Sequence, residues 1–157
     1  MRVLGYLAFL PLVACAADSG DYTIELTHDA CAPIALVSAT PTAVQSAGLD
    51  KAQSLWRDRG VPAIGLRAGA TVEVRFDDAA PLFHGLYDDK TGVIYINNDL
   101  TDETTLSIVI AHELGHALGL LHITGRPSVM NPGNLTIPPN AEDQAALEAL
   151  WGPCSAP

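Results

Sequence analysis

The sequence predicts an α+β domain, on three observations. Short β-rich stretches occupy the first hundred residues, one unusually apolar helix follows them, and a second helical segment closes the chain after an irregular stretch punctuated by Gly and Pro. Taken in order, Tyr22 to Leu26 alternates weakly and reads as a first strand. Thr40 and Pro41 read as the cap and first-turn pair of a helix that ends at Arg59, with Gly60 as its stop. Within it Leu49, Ala52, Leu55 and Trp56 recur at helical spacing and form a buried stripe. Thr71 to Phe76 alternates cleanly, Val72, Val74 and Phe76 on one face and Glu73 and Arg75 on the other, which predicts a half-buried strand. The cluster from Asp88 to Gly92 is a turn into Val93 to Ile96, a strand of high β propensity.

The period then changes. Thr101 or Asp102 caps a helix whose Leu106, Ile108, Val109, Ile110 and Leu114 make it apolar nearly all round, so it is expected to be buried, and it stops near Gly119. Asn140 caps a last helix with Ala146, Leu147, Leu150 and Trp151 on its apolar face.

Length and charge narrow the roles open to this fold. At 157 residues and 48% hydrophobic content the chain is sized for one domain with a real core. Eight Lys and Arg against eighteen Asp and Glu give a formal charge of -10, a field that repels phosphate backbones, so nucleic acid is excluded as a partner. The one long apolar run, Val3 to Ala14 behind Arg2, is too short to span a bilayer and reads as an export signal. Leu12, Val13, Ala14 and Cys15 have the order of a bacterial lipobox, which would make Cys15 a lipidated first residue. The alternative is an ordinary signal cut after Ala16. The expected organisation is therefore signal 1–14, linker 15–21 and a single domain over 22–157, exported and either lipid-anchored in the cell envelope or secreted. A lipid anchor would be its only membrane contact, and a monomer is expected.

Export leaves Cys31 and Cys154 as one even pair, expected to form a disulfide worth about 4 to 5 kcal/mol at most through loop-closure entropy. The alternative is that Cys31 is a thiolate ligand holding a metal site latent.

The chemistry is concentrated on the buried helix. His112 and His116 lie four apart and project from one face, so two imidazoles can meet one metal ion while Glu113 reaches a water beside it. His122 is the candidate third ligand, returned by a sharp turn at Gly119. Three imidazoles with an open fourth position suit a catalytic zinc. Left without a metal, two imidazoles and a carboxylate on the most apolar helix of the chain would be costly to bury.

The string from His112 to His122, HELGHALGLLH, followed by Ser128, Val129, Met130, Asn131 and Pro132, resembles the HExxHxxGxxH motif and Met turn of the metzincin zinc endopeptidases. Met130 stands eight residues after His122, a spacing similar to that of the matrixin branch. Glu142, Asp143 and the closing Ala149, Leu150, Trp151, Gly152 resemble the matrixin terminal helix. The resemblance spans Thr101 to Gly152 and implies a mixed twisted sheet with an active-site helix, a Met turn and a C-terminal helix. It implies one zinc on His112, His116 and His122, with Glu113 as general base to a zinc-bound water, and Met130 as a hydrophobic floor. It implies a substrate of extended protein or peptide, paired with the strand Val93 to Asn97 through Val93, Tyr95 and Asn97, with Pro132 and Asn134 in the pocket wall after the scissile bond. Asp143 would anchor the last helix to neighbouring backbone.

The departures from the family pattern bound these expectations. Only His28 and His84 remain beyond the three ligands, so no second zinc is expected and both read as ordinary polar residues. Ile123, after the third ligand, leaves the branch open, and Pro132 stands where some branches place a tyrosine ligand. The acidic pairs Asp77, Asp78 and Asp88, Asp89 match no defined calcium loop and read as solvated turn carboxylates. The competing function is a non-catalytic, envelope-anchored binding protein on a metzincin-like scaffold.

Overall fold

The computed structural model describes residues 23–155; the segment 1–14 expected to be an export signal, Cys15, the expected linker and Tyr22 lie outside the described residues. Among the described residues, four strands and three helices follow in the order β1 (Ile34–Val37), α1 (Ala43–Arg57), β2 (Ala70–Asp77), β3 (Gly85–Asp88), β4 (Val93–Asn97), α2 (Glu103–Ala117) and α3 (Ala141–Trp151). The strands form one mixed sheet in the order β1-β2-β4-β3, in which β1, β2 and β4 run parallel and β3 is an antiparallel edge. This is the α+β architecture expected of the sequence.

β2 keeps the predicted alternation: Val72 and Val74 are buried, while Glu73 and Arg75 face solvent and bond to each other. β1 carries no such pattern. Its Ile34, Ala35 and Leu36 are buried in succession, so the segment lacks the period of two that marks a half-buried strand and is not predicted from the sequence. The expected strand at Tyr22 to Leu26 does not form over its described part, 23–26. That stretch is instead pinned by side chains, with Glu25 N–H donating to Asp89 Oδ2 at 2.9 Å and the Tyr87 hydroxyl donating to the Leu26 carbonyl at 2.9 Å.

Helix α1 begins two residues later than the Thr40–Pro41 reading. Thr42 and Gln45 form a reciprocal capping box that satisfies two terminal N–H groups, an arrangement that Thr40 does not make. The helix ends at Arg57, and Gly60 follows in the left-handed region at φ 81°. Helix α2 is capped by Asp102, whose carboxylate accepts the Thr105 N–H at 2.8 Å, and it is buried along nearly its whole length. Helices α1 and α2 approach closely at Gly48, where an added Cβ would meet Leu106 at 3.0 Å. The Trp56 indole, fully buried, donates to the Ala111 carbonyl of α2 at 2.9 Å. Truncating that indole would cost about 3 to 5 kcal/mol and loosen the helix that carries the site.

Cys31 and Cys154 form a disulfide across 123 residues of sequence, joining the segment before β1 to the tail after α3. This decides between the two expectations for Cys31: its sulfur is a crosslink and not a metal ligand. Among the described residues no helix is long and apolar enough to cross a membrane.

Candidate metal centre

The site is assembled from three pieces of chain that follow one another in sequence: the second half of α2, the turn after it, and the irregular stretch through Met130. His112 and Glu113 are buried on α2, and His116 stands one turn further on. Helix α2 ends at Ala117 with Leu118 as its cap, and Gly119 adopts φ 97°, a conformation that side-chain-bearing residues rarely reach. Its N–H closes on the His116 carbonyl at 2.9 Å and the Leu120 N–H closes on Gly115 at 2.9 Å. The reversal brings His122 back over α2, as the spacing predicts.

The three imidazoles meet through their Nε2 atoms. His122 Nε2 lies 3.1 Å from that of His112 and 3.3 Å from that of His116, and one nitrogen from each ring falls within 4.8 Å of the others. Each of the two helix histidines has its other nitrogen tied to backbone. His112 Nδ1 is 2.6 Å from the Val129 carbonyl, and His116 Nδ1 is 2.7 Å from the Leu120 carbonyl. A carbonyl only accepts, so both Nδ1 atoms carry the proton and both Nε2 atoms present lone pairs. Both lone pairs are thereby turned toward His122 Nε2, where they can accept a proton from that ring or share a cation with it. Tetrahedral zinc with bonds of about 2.0 to 2.1 Å places its nitrogen ligands roughly 3.3 Å apart, which the two shorter separations match. The donor set fits zinc, and the same turn that returns His122 supplies the carbonyl that orients His116.

Electrostatics favour the neutral, ligating forms. Burial drives His112 down to about 4, against the Val129 bond that would raise it, and His116 down to about 3, with the neighbouring imidazoles adding to the effect of burial. His122, the most exposed of the three, is lowered by burial alone. Glu113 moves the other way: burial pushes its carboxyl up to about 8, partly offset by the Tyr87 N–H of β3. In the metal-free chain these shifts set the stability profile. Between pH 4.5 and 6.5 the unfolded chain binds two more protons at His112 and His116 and one fewer at Glu113, so stability rises with pH. Above 6.5 only Glu113 differs, and stability falls as pH rises toward 8. Denaturant midpoints of the metal-free chain should therefore peak near pH 6.5, and the alkaline decline should vanish in Glu113→Gln. A native midpoint that keeps rising to pH 8 would contradict this assignment.

Met130 lies beneath the site, buried against α2 at Gly115. A Cβ on Gly115 would run into Met130 Sδ and sit 3.3 Å from the Trp56 ring. Gly115→Ala is expected to cost about 1 to 3 kcal/mol by overpacking, read as a lower urea midpoint. Asp143, buried at the start of α3, holds the Met turn. It accepts the Val129 N–H at 3.1 Å, the Asn140 N–H at 3.0 Å and the Ser128 hydroxyl at 2.5 Å. The anchoring expected of Asp143 is therefore present and is directed to the Met turn.

The substrate-side expectations need correction. Val93, Tyr95 and Asn97 cannot pair with an extended peptide, because β4 is hydrogen-bonded on one side to β2 and on the other to β3. The sheet edge beside α2 and the histidines belongs to β3, an element that sequence reasoning misses because Gly85 and Asp88 at its ends carry little β propensity. Asn97 is a structural residue, whose Nδ2 donates to the Phe83 carbonyl at 2.9 Å and shapes the loop before β3. β3 passes directly over the site, and a Cβ on Gly85 would meet Glu113 Oε1 at 2.9 Å. Pro132 is half-buried just after Met130, and the Asn134 side chain is turned into its own loop, away from the role expected of it.

The remaining candidates lie elsewhere. His84 and His28 stand outside the three-histidine cluster, and His28 Nε2 is buried with no hydrogen-bond partner among the described residues. Of the acidic turns, Asp88 bonds to Thr91 three residues on and Asp78 accepts from Asn98 just after β4, whereas Asp89 is buried and accepts the Glu25 N–H, so it is not the solvated carboxylate expected.

The family model described as Matrixin matches residues 45–152 of the chain. No curated protein sequence matches it. Among solved structures, the crystal structure of myroilysin is similar at TM-score 0.57 and 13% identity, covering 81% of this chain and 86% of that one. A second structure of myroilysin aligns at TM-score 0.44 and 20% identity over 62% of this chain and 52% of that one, too low a score to bear on the fold. At 13% identity the likeness to the first of these is one of fold alone.

Proposed function

The chain belongs to the matrixin family of metallopeptidases, and from that premise we propose that it is a zinc-dependent endopeptidase acting on extended stretches of protein or peptide. The observation that carries this reading is the convergence of three imidazole nitrogens beside one buried carboxyl, Glu113. His112, His116 and His122 would hold the ion. Zinc bound there supplies Lewis acidity, lowering the pKa of a water at the site and polarising the peptide carbonyl.

The chain's own residues supply the rest. Glu113 would take the proton of the attacking water and return it to the leaving amine, so that one carboxyl serves first as base and then as acid. Gly85 leaves the room in which that carboxyl sits, and the Tyr87 N–H holds it in place. Along β3, the bond from Asn97 N–H to the His84 carbonyl fixes which residues face β4; by alternation the backbone of Gly85 and Tyr87 faces the free edge. An extended substrate added to that edge would lie across the zinc ligands, whereas a folded segment could not pair there. The Cys31–Cys154 disulfide supports an exported enzyme, and Cys15 would be its lipid anchor.

The test is digestion of a mixed peptide library by the domain from Ala16 onward, with and without a chelator. Cleavage that a chelator stops and zinc restores is the expected result. Zinc bound without any cleavage would favour the non-catalytic scaffold instead.

A further inference from the structure

We infer that Asn134 is a positioning residue for the metal centre: it fixes the Val129 carbonyl that orients His112. This rests on the reading of the three histidines as zinc ligands and adds to it a residue that no ligand touches.

The stretch from Ser128 to Asn140 has no helix or strand to hold its backbone. The Val129 carbonyl, which receives the His112 Nδ1 proton, therefore has no ladder partner to set its direction. The Asn134 carboxamide takes that place. Its Nδ2 donates to the Val129 carbonyl at 3.1 Å and to the Ile137 carbonyl at 2.7 Å, while its Oδ1 accepts the N–H groups of Thr136 at 3.1 Å and Ile137 at 2.9 Å. Both donors and both acceptor sites of the side chain are spent within the loop, so nothing is left over for a substrate. The peptide groups on either side of the Val129 Cα are then both held, the Val129 N–H by Asp143 and the Val129 carbonyl by Asn134. A carbonyl fixed in this way holds the His112 ring, and hence the direction of its Nε2 lone pair, before the ion arrives.

Two variants separate the parts of this argument. Asn134→Ala removes all four bonds. Asn134→Asp keeps an oxygen for the Thr136 and Ile137 N–H groups but loses both donors and sets a carboxylate against the Val129 carbonyl. Zinc affinity is measured by competition with a chromophoric chelator, and the ligand field by the visible spectrum of the cobalt-substituted chain. Both variants are expected to bind zinc about tenfold more weakly than the native chain, the lower end of what loss of a ligand's hydrogen-bonded support costs, with a shifted cobalt band. A loop that merely lost stability would lower the melting temperature and leave the cobalt band where it was. If Asn134→Ala does not fold, Asn134→Asp decides alone. Native zinc binding with both readouts unchanged in the folded variants overturns this inference and leaves the metal site standing. A native chain that binds no zinc overturns both.

Discussion

Replacing Glu113 by Gln should leave zinc in place and reduce peptide hydrolysis by roughly a hundred- to ten-thousand-fold, the range that a positioned general base contributes. The substitution is close to isosteric, and the Gln carbonyl oxygen can still accept the Tyr87 N–H that now reaches the carboxyl. Glu113 lies outside the three-nitrogen cluster, so metal affinity and KM should change little while kcat collapses. Folding should not suffer, because the substitution removes a carboxyl that burial penalises. Kinetics at saturating zinc, beside metal analysis of the same preparation, would check this. Undiminished turnover would end the assignment of Glu113.

The second large effect is expected at His122. Of the three candidate ligands it is the most exposed, whereas His112 is only 6% exposed and packed into the core helix, so His122→Ala removes a nitrogen with little disturbance of the fold. Two imidazoles four apart on a helix would remain. The loss in zinc affinity should exceed the roughly 10- to 100-fold that follows from removing a ligand's hydrogen-bond partner, since here the ligand itself is gone. Activity should fall in parallel unless zinc is supplied in large excess. Equal zinc affinity in variant and native chain would mean that the third ligand lies elsewhere.

The site is more legible in the sequence than the sheet around it, for a physical reason. His112, Glu113 and His116 are placed by helical geometry alone, and Gly119 marks the turn that returns His122, so a span of eleven residues encodes most of the centre. The N-terminus of α1 is displaced by two residues because two candidate caps lie close together and only Thr42 has Gln45 at the right distance to complete a box. β1 escapes notice because it is buried without alternation. β3 escapes because it is four residues long and begins with glycine, and that omission moves the expected substrate edge to β4. Strand order depends on pairing between distant segments, such as β2 with β4, which no local pattern records. Asn134 illustrates the same limit: the family resemblance implies a place in the pocket wall, whereas its partners are the carbonyls and N–H groups of its own loop.

The most direct test of the account is a zinc titration of the metal-free domain, followed by cleavage of a peptide that the library identifies as a substrate. Activity should rise in proportion to added zinc and break at one ion per chain, with the same titration of His122→Ala showing no break at comparable concentrations. Cleavage by the metal-free chain, or a break at two ions, would contradict a centre built from His112, His116 and His122 alone.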